Sequence, residues 1–143
     1  MKCRRALFFV TYYLEKGKPT YLILKRKLHW KGWEFPKGGQ RIFETARGTI
    51  KRELKEETGL KILKIRKFNE SGKYKYPKKY KDRPGFIGQT YKLYSAEVKK
   101  GKVKFDKYEH SDYKWIHFSD AVKKLTWANQ KACLRIVNKW LEN

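Results

Sequence analysis

The sequence has few acidic residues for its size. It contains 14 Asp and Glu against 37 Lys and Arg, which gives a formal net charge of +23 over 143 residues. A solvated globular domain does not need an excess this large, so the composition indicates an anionic partner. A lysine-rich proteome would produce the same imbalance without any such partner, and both explanations stay open.

Cysteines and long apolar runs are also scarce. The only two cysteines, Cys3 and Cys133, are too far apart for a cysteine metal motif and too few for a disulfide framework. No stretch approaches the roughly 20 apolar residues that a membrane-spanning helix needs. We therefore predict a cytoplasmic protein with no membrane partner.

The length and the order of apolar patterns predict the architecture. A chain of 143 residues is suited to a single domain, 1–143, with one core. Residues 6–14, 21–27, 61–68, 91–98 and 113–118 have the composition of strands, whereas 71–85 has that of a loop. Near the end, Cys133, Ile136, Val137, Trp140 and Leu141 recur at helical spacing. This pattern predicts an α/β fold.

One segment, residues 38–60, clusters acids that the rest of the chain lacks; it reads GGQRIFETARGTIKRELKEETGL. If its middle is helical, Glu53, Glu56 and Glu57 lie at i, i+3 and i+4 on one face. Three adjacent carboxylates repel one another, and a hard divalent cation with oxygen ligands removes that repulsion. The segment predicts half of a metal site; the alternative is a solvated, Glu-rich surface helix.

The same segment carries helix signals away from the acids. Ala46, Ile50 and Leu54 form an apolar stripe at i, i+4 and i+8, which predicts packing on a different face. Gly59 stands where a residue with positive φ commonly closes a helix. One face of this helix can therefore pack on a core while another holds a metal ion.

Seven residues of this segment define a longer pattern, G-x5-E-x7-R-E-Leu-x-E-E-x-G-Leu, and it resembles the signature of the Nudix hydrolases. The matching residues are Gly38, Glu44, Arg52, Glu53, Glu56, Glu57 and Gly59. The resemblance implies the Nudix fold, a mixed β-sheet sandwiched between α-helices. It also implies attack of water on a phosphoanhydride bond, with Mg2+ or Mn2+ as the cofactor.

The resemblance assigns expected roles to these residues. Glu53, Glu56, Glu57 and the backbone carbonyl of Gly38 are the expected metal ligands. Arg52 is expected to assist catalysis by orienting a glutamate through bidentate hydrogen bonds.

Two roles stay open at this point. Glu44 is either the partner of Arg52 or an acid placed at the helix N-terminus. The catalytic base is expected to be Glu53 or, second, Glu109, which precedes Trp115 by six residues as in related enzymes. The alternative for Glu109 is an exposed loop acid.

Segments outside the signature resemble two Nudix subfamilies. Residues 33–39, WEFPKGG, resemble a segment of both RNA 5′-pyrophosphohydrolases and dinucleoside polyphosphate hydrolases. Residues 76–94 are similar to RNA 5′-pyrophosphohydrolases, whereas 108–118 and 125–134 look closer to diadenosine tetraphosphate hydrolases. The implied substrates are dinucleoside polyphosphates, RNA 5′-triphosphate ends, or both. Two alternatives are a Nudix hydrolase of small nucleotides, such as oxidised nucleoside triphosphates or ADP-ribose, and a non-catalytic nucleic-acid-binding protein.

Either substrate needs cations for phosphates and an aromatic face for a base. Lys27 and Lys37 flank residues 33–36 and are expected to bind phosphates. Tyr76, Tyr80 and Trp127 are expected to stack on a base, an interaction of about 1–3 kcal/mol. The alternatives are a solvated surface for the lysines and core packing for the aromatics. The sequence leaves the oligomeric state open.

Overall fold

The computed structural model describes residues 2–143 and contains a mixed sheet with three helices. In chain order the elements are β1 (Lys2–Glu15), β2 (Lys18–Arg26), β3 (Gly32–Glu34), β4 (Lys37–Gly39), α1 (Ala46–Thr58), β5 (Ile62–Lys75), β6 (Phe86–Val98), β7 (His110–Ile116), α2 (Phe118–Lys124) and α3 (Ala128–Glu142).

The sheet is built around β1. This strand pairs in parallel with β6 and antiparallel with both β2 and β4. Its residues 6–8 pair with β4 and its residues 12–15 with β2, so the two partners occupy different halves of one strand. Strand β4 is thereby held against the middle of the sheet, directly under α1.

Alternation along β1 creates two apolar layers. Leu7 and Phe9 face a cluster that includes Ile50 and Leu54 of α1. Phe8 and Val10 face the opposite cluster, which includes side chains from α2 and α3. The sheet is therefore covered by helices on both sides, which confirms the predicted α/β sandwich.

Helix α1 ends at Gly59, as its sequence predicts, and its N-terminus is capped by Thr45. The side chain of Thr45 accepts a hydrogen bond from the backbone N–H of Gly48 at 3.0 Å, which caps the N-terminus. Gly59 has φ of +70° and its N–H donates to Leu54 and Lys55, which closes the C-terminus. The apolar stripe is also confirmed, because Ile50 and Leu54 are fully buried.

The expected loop at 71–85 is wrong in its first part. Strand β5 continues to Lys75 and pairs with β6 after a register shift between Lys67 and Ser71. Local composition suggested a loop, but pairing with a long neighbouring strand satisfies this backbone. The remaining segment, residues 76–85, joins β5 to β6. The short elements β3, β4 and α2 were not predicted.

The predicted C-terminal helix is confirmed as α3, with Cys133, Leu134 and Val137 buried against the sheet. Across residues 2–143, none of the helices is long and apolar enough to cross a membrane. The single-domain organisation and the cytoplasmic location stay predictions.

Candidate active site

Arg52 connects helix α1 to strand β4. Its Nε and Nη2 donate to the two carboxylate oxygens of Glu44 at 2.7 and 2.9 Å, a bidentate pair. Its Nη1 donates to Glu53 at 2.7 Å, and its Nη2 also reaches the carbonyl of Gly39 at 3.1 Å. Glu44 is thus the partner of Arg52, and one oxygen of Glu53 has a defined position.

These contacts change the acidity of the groups involved. Hydrogen bonds from Arg52 and then from the backbone of Arg41 lower the pKa of Glu44 to about 2. The same bond to Glu44 raises the pKa of Arg52 above its ordinary value. Both groups therefore stay charged at neutral pH, and the arginine remains able to orient Glu53.

Gly38 lies in direct contact with Glu53. A Cβ added at Gly38 would stand 2.4 Å from Cγ of Glu53, a distance that no side chain tolerates. Glycine is therefore required here for a close approach of helix and strand. This approach places the backbone of Gly38 beside the carboxylate of Glu53.

A small polar cavity of about 40 Å³ lies at this contact. Its lining contains the acids Glu53, Glu57 and Glu109, the cations Arg4, Arg26, Lys37 and Arg83, and the neutral residues Gly38 and Gln89. Acids and cations therefore converge on one point from α1, β4, β1, β2, the β5–β6 connection, β6 and the residue before β7. We call it the small cavity.

The carboxylate of Glu57 is buried in an unfavourable environment for its negative charge. Its Oε2 is buried and has no hydrogen-bond partner among the described residues. Burial, followed by the nearby charges of Glu53 and Glu109, raises the pKa of Glu57 well above its ordinary value. A divalent cation among these oxygen donors would relieve both costs, so the residues fit such an ion.

The ligands are not already gathered into a cage. Within residues 2–143, no three His, Cys, Asp or Glu side chains form a ready metal cluster, and one oxygen of Glu53 is bound to Arg52. Glu56 lies outside the small cavity with 56% of its side chain exposed, and its Oε2 is 3.6 Å from Nη1 of Arg52. Its role as a ligand stays a prediction.

Glu109 lies immediately before β7, and its carboxylate is a third exposed. Its Oε2 is 3.8 Å from Nη1 of the buried Arg26, which also donates to Glu34 at 3.2 Å. Nε2 of His110 lies 2.8 Å from the same carboxylate of Glu34. A buried polar network therefore supports the segment that carries Glu109.

The charge of Glu34 holds this network together. Burial alone would raise its pKa, but Lys37, the hydrogen bond from His110 and the charge of Arg26 together lower the pKa of Glu34 to about 2. Sequence reasoning missed Arg26, Glu34 and His110. No spacing rule connects them, since Glu34 and His110 are 76 residues apart.

The two lysines predicted to bind phosphates are placed differently. Lys37 lines the small cavity with 9% of its side chain exposed, and its Nζ is 3.6 Å from Glu34. Burial lowers the pKa of Lys37 to about 8, although Glu34 partly opposes the shift. Lys27 is exposed and lines neither of the two cavities described here.

A second cavity, of about 460 Å³ and largely aromatic, opens beside the first; we call it the large cavity. It is lined by Phe8, Arg26, His29, Trp30, Lys37, Tyr74, Lys75, Tyr76, Pro77, Tyr80, Arg83, Trp127, Ala128, Asn129 and Gln130. The predicted base-stacking residues Tyr76, Tyr80 and Trp127 are thus brought together. Trp30 and His29 were missed.

The aromatic residues differ in how freely they can stack. Trp127 is 45% exposed, and its ring makes a T-shaped contact with that of Trp30 at a centroid distance of 5.2 Å, so part of the Trp127 ring is open to solvent. Tyr80 is 9% exposed and already stacks on His29 at 3.9 Å. The hydroxyl of Tyr76 donates to Gln89 at 2.9 Å.

Arg26, Lys37 and Arg83 line both cavities. Burial, and then the charge of Arg83, lower the pKa of Arg4, while the charges of Glu53 and Glu109 oppose this shift. A phosphate between the two cavities would lie beside Arg26, Lys37 and Arg83. The arrangement can hold a chain of phosphates beside the acidic group and an attached base in the large cavity.

A sequence profile described as the NUDIX domain matches residues 4–135, nearly the whole chain. The chain belongs to the Nudix family. It is therefore a Nudix hydrolase, as the signature at 38–60 predicted, and its mixed sheet between helices is the Nudix fold.

Among its relatives is an RNA pyrophosphohydrolase of a Nitratiruptor species, 36% identical over 115 residues, with 77% of this chain and 74% of the relative covered. An 8-oxo-dGTP diphosphatase of Buchnera aphidicola is 36% identical over 96 residues, covering 67% and 64% of the two chains. The crystal structure of a C. elegans Ap4A hydrolase in a binary complex has a TM-score of 0.73 at 25% identity, covering 97% and 98%.

Proposed function

We propose that this Nudix hydrolase cleaves phosphoanhydride bonds of nucleoside 5′-polyphosphates, with RNA 5′-triphosphate ends as its principal substrate. The observation that carries the proposal is that the two cavities adjoin. The small cavity contains acids and cations, and it shares Arg26, Lys37 and Arg83 with the aromatic large cavity. Phosphates and a base attached to them require this pair of environments side by side.

The relatives support RNA ends in particular. The Nitratiruptor relative and a second one from Blochmanniella pennsylvanica, 26% identical over 129 residues, are both named RNA pyrophosphohydrolase. The similarity covers most of each relative's length, so it extends beyond the signature. RNA is accordingly the partner that we propose.

The proposed cofactor is Mg2+, with Mn2+ as an alternative. Glu53, Glu57 and the carbonyl of Gly38 would hold it from the small cavity, and Glu56 would join them after a side-chain rotation. When bound, the ion would polarise the phosphoryl oxygens and offset the negative charge that develops on the leaving phosphate.

Glu53 is the first choice for the group that removes a proton from the attacking water. Arg52 holds one of its oxygens at 2.7 Å, which orients the carboxylate that lines the small cavity. Glu109 is the alternative base, because it lines the same cavity and Arg26 stands 3.8 Å from its carboxylate.

The cations of the small cavity would bind the polyphosphate. Arg4, Lys37 and Arg83 line this cavity together with the carboxylates, and charge-assisted hydrogen bonds from such groups to phosphate oxygens are strong. Trp127, which is 45% exposed, would stack on one face of the base, and Tyr76 would contact the other face of the base.

A second candidate substrate is a dinucleoside polyphosphate such as diadenosine tetraphosphate. The specific observation in its favour is the similarity to the C. elegans Ap4A hydrolase along nearly the whole of both chains. An oxidised nucleoside triphosphate is a third candidate, for which the Buchnera relative is the support.

One experiment separates these candidates. Purified protein with Mg2+, and separately with Mn2+, is incubated with a 5′-triphosphorylated RNA, diadenosine tetraphosphate and 8-oxo-dGTP, and kcat/KM is measured for each. We expect 5′-monophosphate RNA and the highest kcat/KM for the RNA. A higher value for another substrate would replace RNA as the principal substrate, and activity on none would overturn the proposal.

A further inference from the structure

The segment that joins β5 to β6, residues 76–85, has an inner and an outer side; we call it the β5–β6 loop. On the inner side, Tyr80 lines the large cavity and Arg83 lines both cavities. On the outer side, Lys78, Lys79 and Lys81 are exposed. The loop therefore forms part of the rim of the site, and its three lysines are exposed to solvent.

These three lysines lack counter-charges. Within the described part of the chain, residues 2–143, none of them has an ion pair or a side-chain hydrogen bond with another residue. The one acid of the loop, Asp82, is bound instead to His29, with Oδ1 2.9 Å from Nε2. Three uncompensated ammonium groups thus lie within four residues.

The loop is held in a defined position. Tyr80 stacks on His29 with ring centroids 3.9 Å apart, and Nη1 of Arg83 donates to the hydroxyl of Tyr76 at 3.0 Å. Together with the bond between His29 and Asp82, these contacts attach the loop to the segment after β2 and to its own base. The three exposed lysines consequently lie on a loop that is anchored beside the large cavity, and we call them the ridge.

The size of the large cavity limits how much of an RNA it can hold. A volume of about 460 Å³ holds a nucleoside but not the rest of a polynucleotide. The following nucleotides of an RNA must leave over the rim, and each brings one negative phosphate. A free dinucleoside polyphosphate or nucleoside triphosphate has no such continuing chain.

We propose that Lys78, Lys79 and Lys81 bind the phosphate backbone of the RNA segment that follows the 5′ end. This proposal rests on the proposed function, because it assumes that the 5′ end occupies the two cavities. It adds a determinant of substrate class that lies outside them. The ridge would favour long RNA over short nucleotides without changing the chemistry of hydrolysis.

The test compares two triple variants of the full chain. The first, Lys78→Gln, Lys79→Gln and Lys81→Gln, removes the ridge. The matched control, Lys99→Gln, Lys102→Gln and Lys104→Gln, removes three equally exposed lysines that follow the other end of β6. That strand has 13 residues and spans about 40 Å, so both variants change the net charge equally at opposite ends of the molecule.

Binding is measured by fluorescence anisotropy without divalent metal, using a 20-nucleotide 5′-triphosphorylated RNA and a 5′-triphosphorylated dinucleotide over a range of salt concentrations. For the ridge variant we expect a Kd about 10-fold higher for the 20-mer near 0.1 M salt. Its slope of log K against log salt should be smaller by about 2, since three contacts contribute about 0.7 each on a single strand. Binding of the dinucleotide should change less than about 2-fold.

Three outcomes bear on the proposal. Equal weakening in the ridge and control variants would overturn it, because general charge would then explain RNA binding. Equal weakening for the 20-mer and the dinucleotide would overturn it too, since the loop would then act only on the cavities. A triple Lys→Arg variant that retains the affinity for the 20-mer supports a role of charge rather than loop integrity.

Activity assays separate this proposal from the proposed function. If the wild type hydrolyses none of the nucleotide substrates, the proposed function fails, whereas the binding comparison still decides whether the ridge holds RNA. If the wild type hydrolyses RNA ends and the ridge variant has an unchanged KM for the 20-mer, the ridge proposal alone fails.

Discussion

The small and the large cavity adjoin each other but are built in different ways. In the small cavity Gly38, Glu53 and Glu57 come from one continuous stretch of chain, where a helix packs directly on a strand, whereas the remaining lining residues come from other elements between Arg4 and Glu109. The large cavity collects side chains from positions between Phe8 and Gln130. A compact motif can therefore supply the acidic residues of a site, whereas the residues expected to select the substrate come from distant segments that only the fold brings together.

The largest expected effect tests the chemical half of this comparison. Glu53→Gln removes the charge and the proton-accepting oxygen but keeps an oxygen that can accept from Arg52. We expect kcat to fall by about 10²- to 10⁴-fold, the usual contribution of a general base, with the melting temperature nearly unchanged. Lys55→Gln, an exposed site on the same helix, is the control. Full activity of Glu53→Gln would show that Glu53 is not the catalytic base.

The second prediction tests whether the close contact of helix and strand matters. Gly38→Ala would place a Cβ at 2.4 Å from Cγ of Glu53 and displace that side chain. We expect kcat/KM to fall by about 10- to 100-fold, as for the loss of a residue that orients metal ligands. In the control Gly101→Ala the new Cβ meets Cδ2 of Leu60 at 3.3 Å and the carbonyl oxygen of Lys99 at 3.9 Å. Equal kinetics in the two variants would contradict the contact's importance.

The third prediction addresses the large cavity. Trp127→Ala removes the exposed ring that we expect to stack on the base, and KM should rise about 5- to 30-fold while kcat changes little. Trp127→Phe keeps an aromatic face and should recover most of the affinity. Phe43→Ala removes another exposed aromatic ring that lines neither cavity. A fall in kcat of Trp127→Ala with unchanged KM would mean that this residue serves the chemistry instead.

The smallest expected effect concerns Lys37, which lines both cavities. Burial lowers its pKa from 10.5 to about 8, so its positive charge is lost as pH rises through about 8. We expect kcat/KM to decline above that pH, by at most about tenfold per pH unit, since the neutral amine binds phosphate poorly. Lys37→Arg, which stays charged, should lack this decline. An identical pH profile in both proteins would exclude Lys37 as its cause.

The pH dependence of stability provides an independent measurement of the pKa of Lys37. Between pH 8 and 10.5 the unfolded chain binds more protons at Lys37 than the folded protein does. The free energy of unfolding of the wild type, relative to Lys37→Met, should therefore increase with pH in that interval. Chemical denaturation at several pH values measures this difference. A relative stability that stays constant would mean that the pKa of Lys37 is not lowered.

Helix α1 shows what could be predicted from the sequence. Its cap residues, its buried stripe and its acidic face all lie within a few turns of one another, so periodicity and spacing suffice to place them. The segment 71–75 shows the opposite case. Its composition favours a loop, but pairing with β6, which is not readable from local composition, makes it a strand.

The buried network of Arg26, Glu34 and His110 could not be predicted for a related reason. Each residue is ordinary in its local sequence, and the hydrogen bonds join partners 8 and 76 residues apart. A charge is stable in the core only when such partners meet, which is a property of the folded chain.

The Nudix signature, read from the sequence, predicted the reaction class, and helical spacing predicted that Glu53 and Glu57 share one face. Only the tertiary structure brings Arg4, Arg26, Lys37 and Arg83 to the same cavity as these acids and forms the aromatic cavity beside them. Contacts between remote segments depend on strand pairing and packing. No local pattern records where those contacts will form.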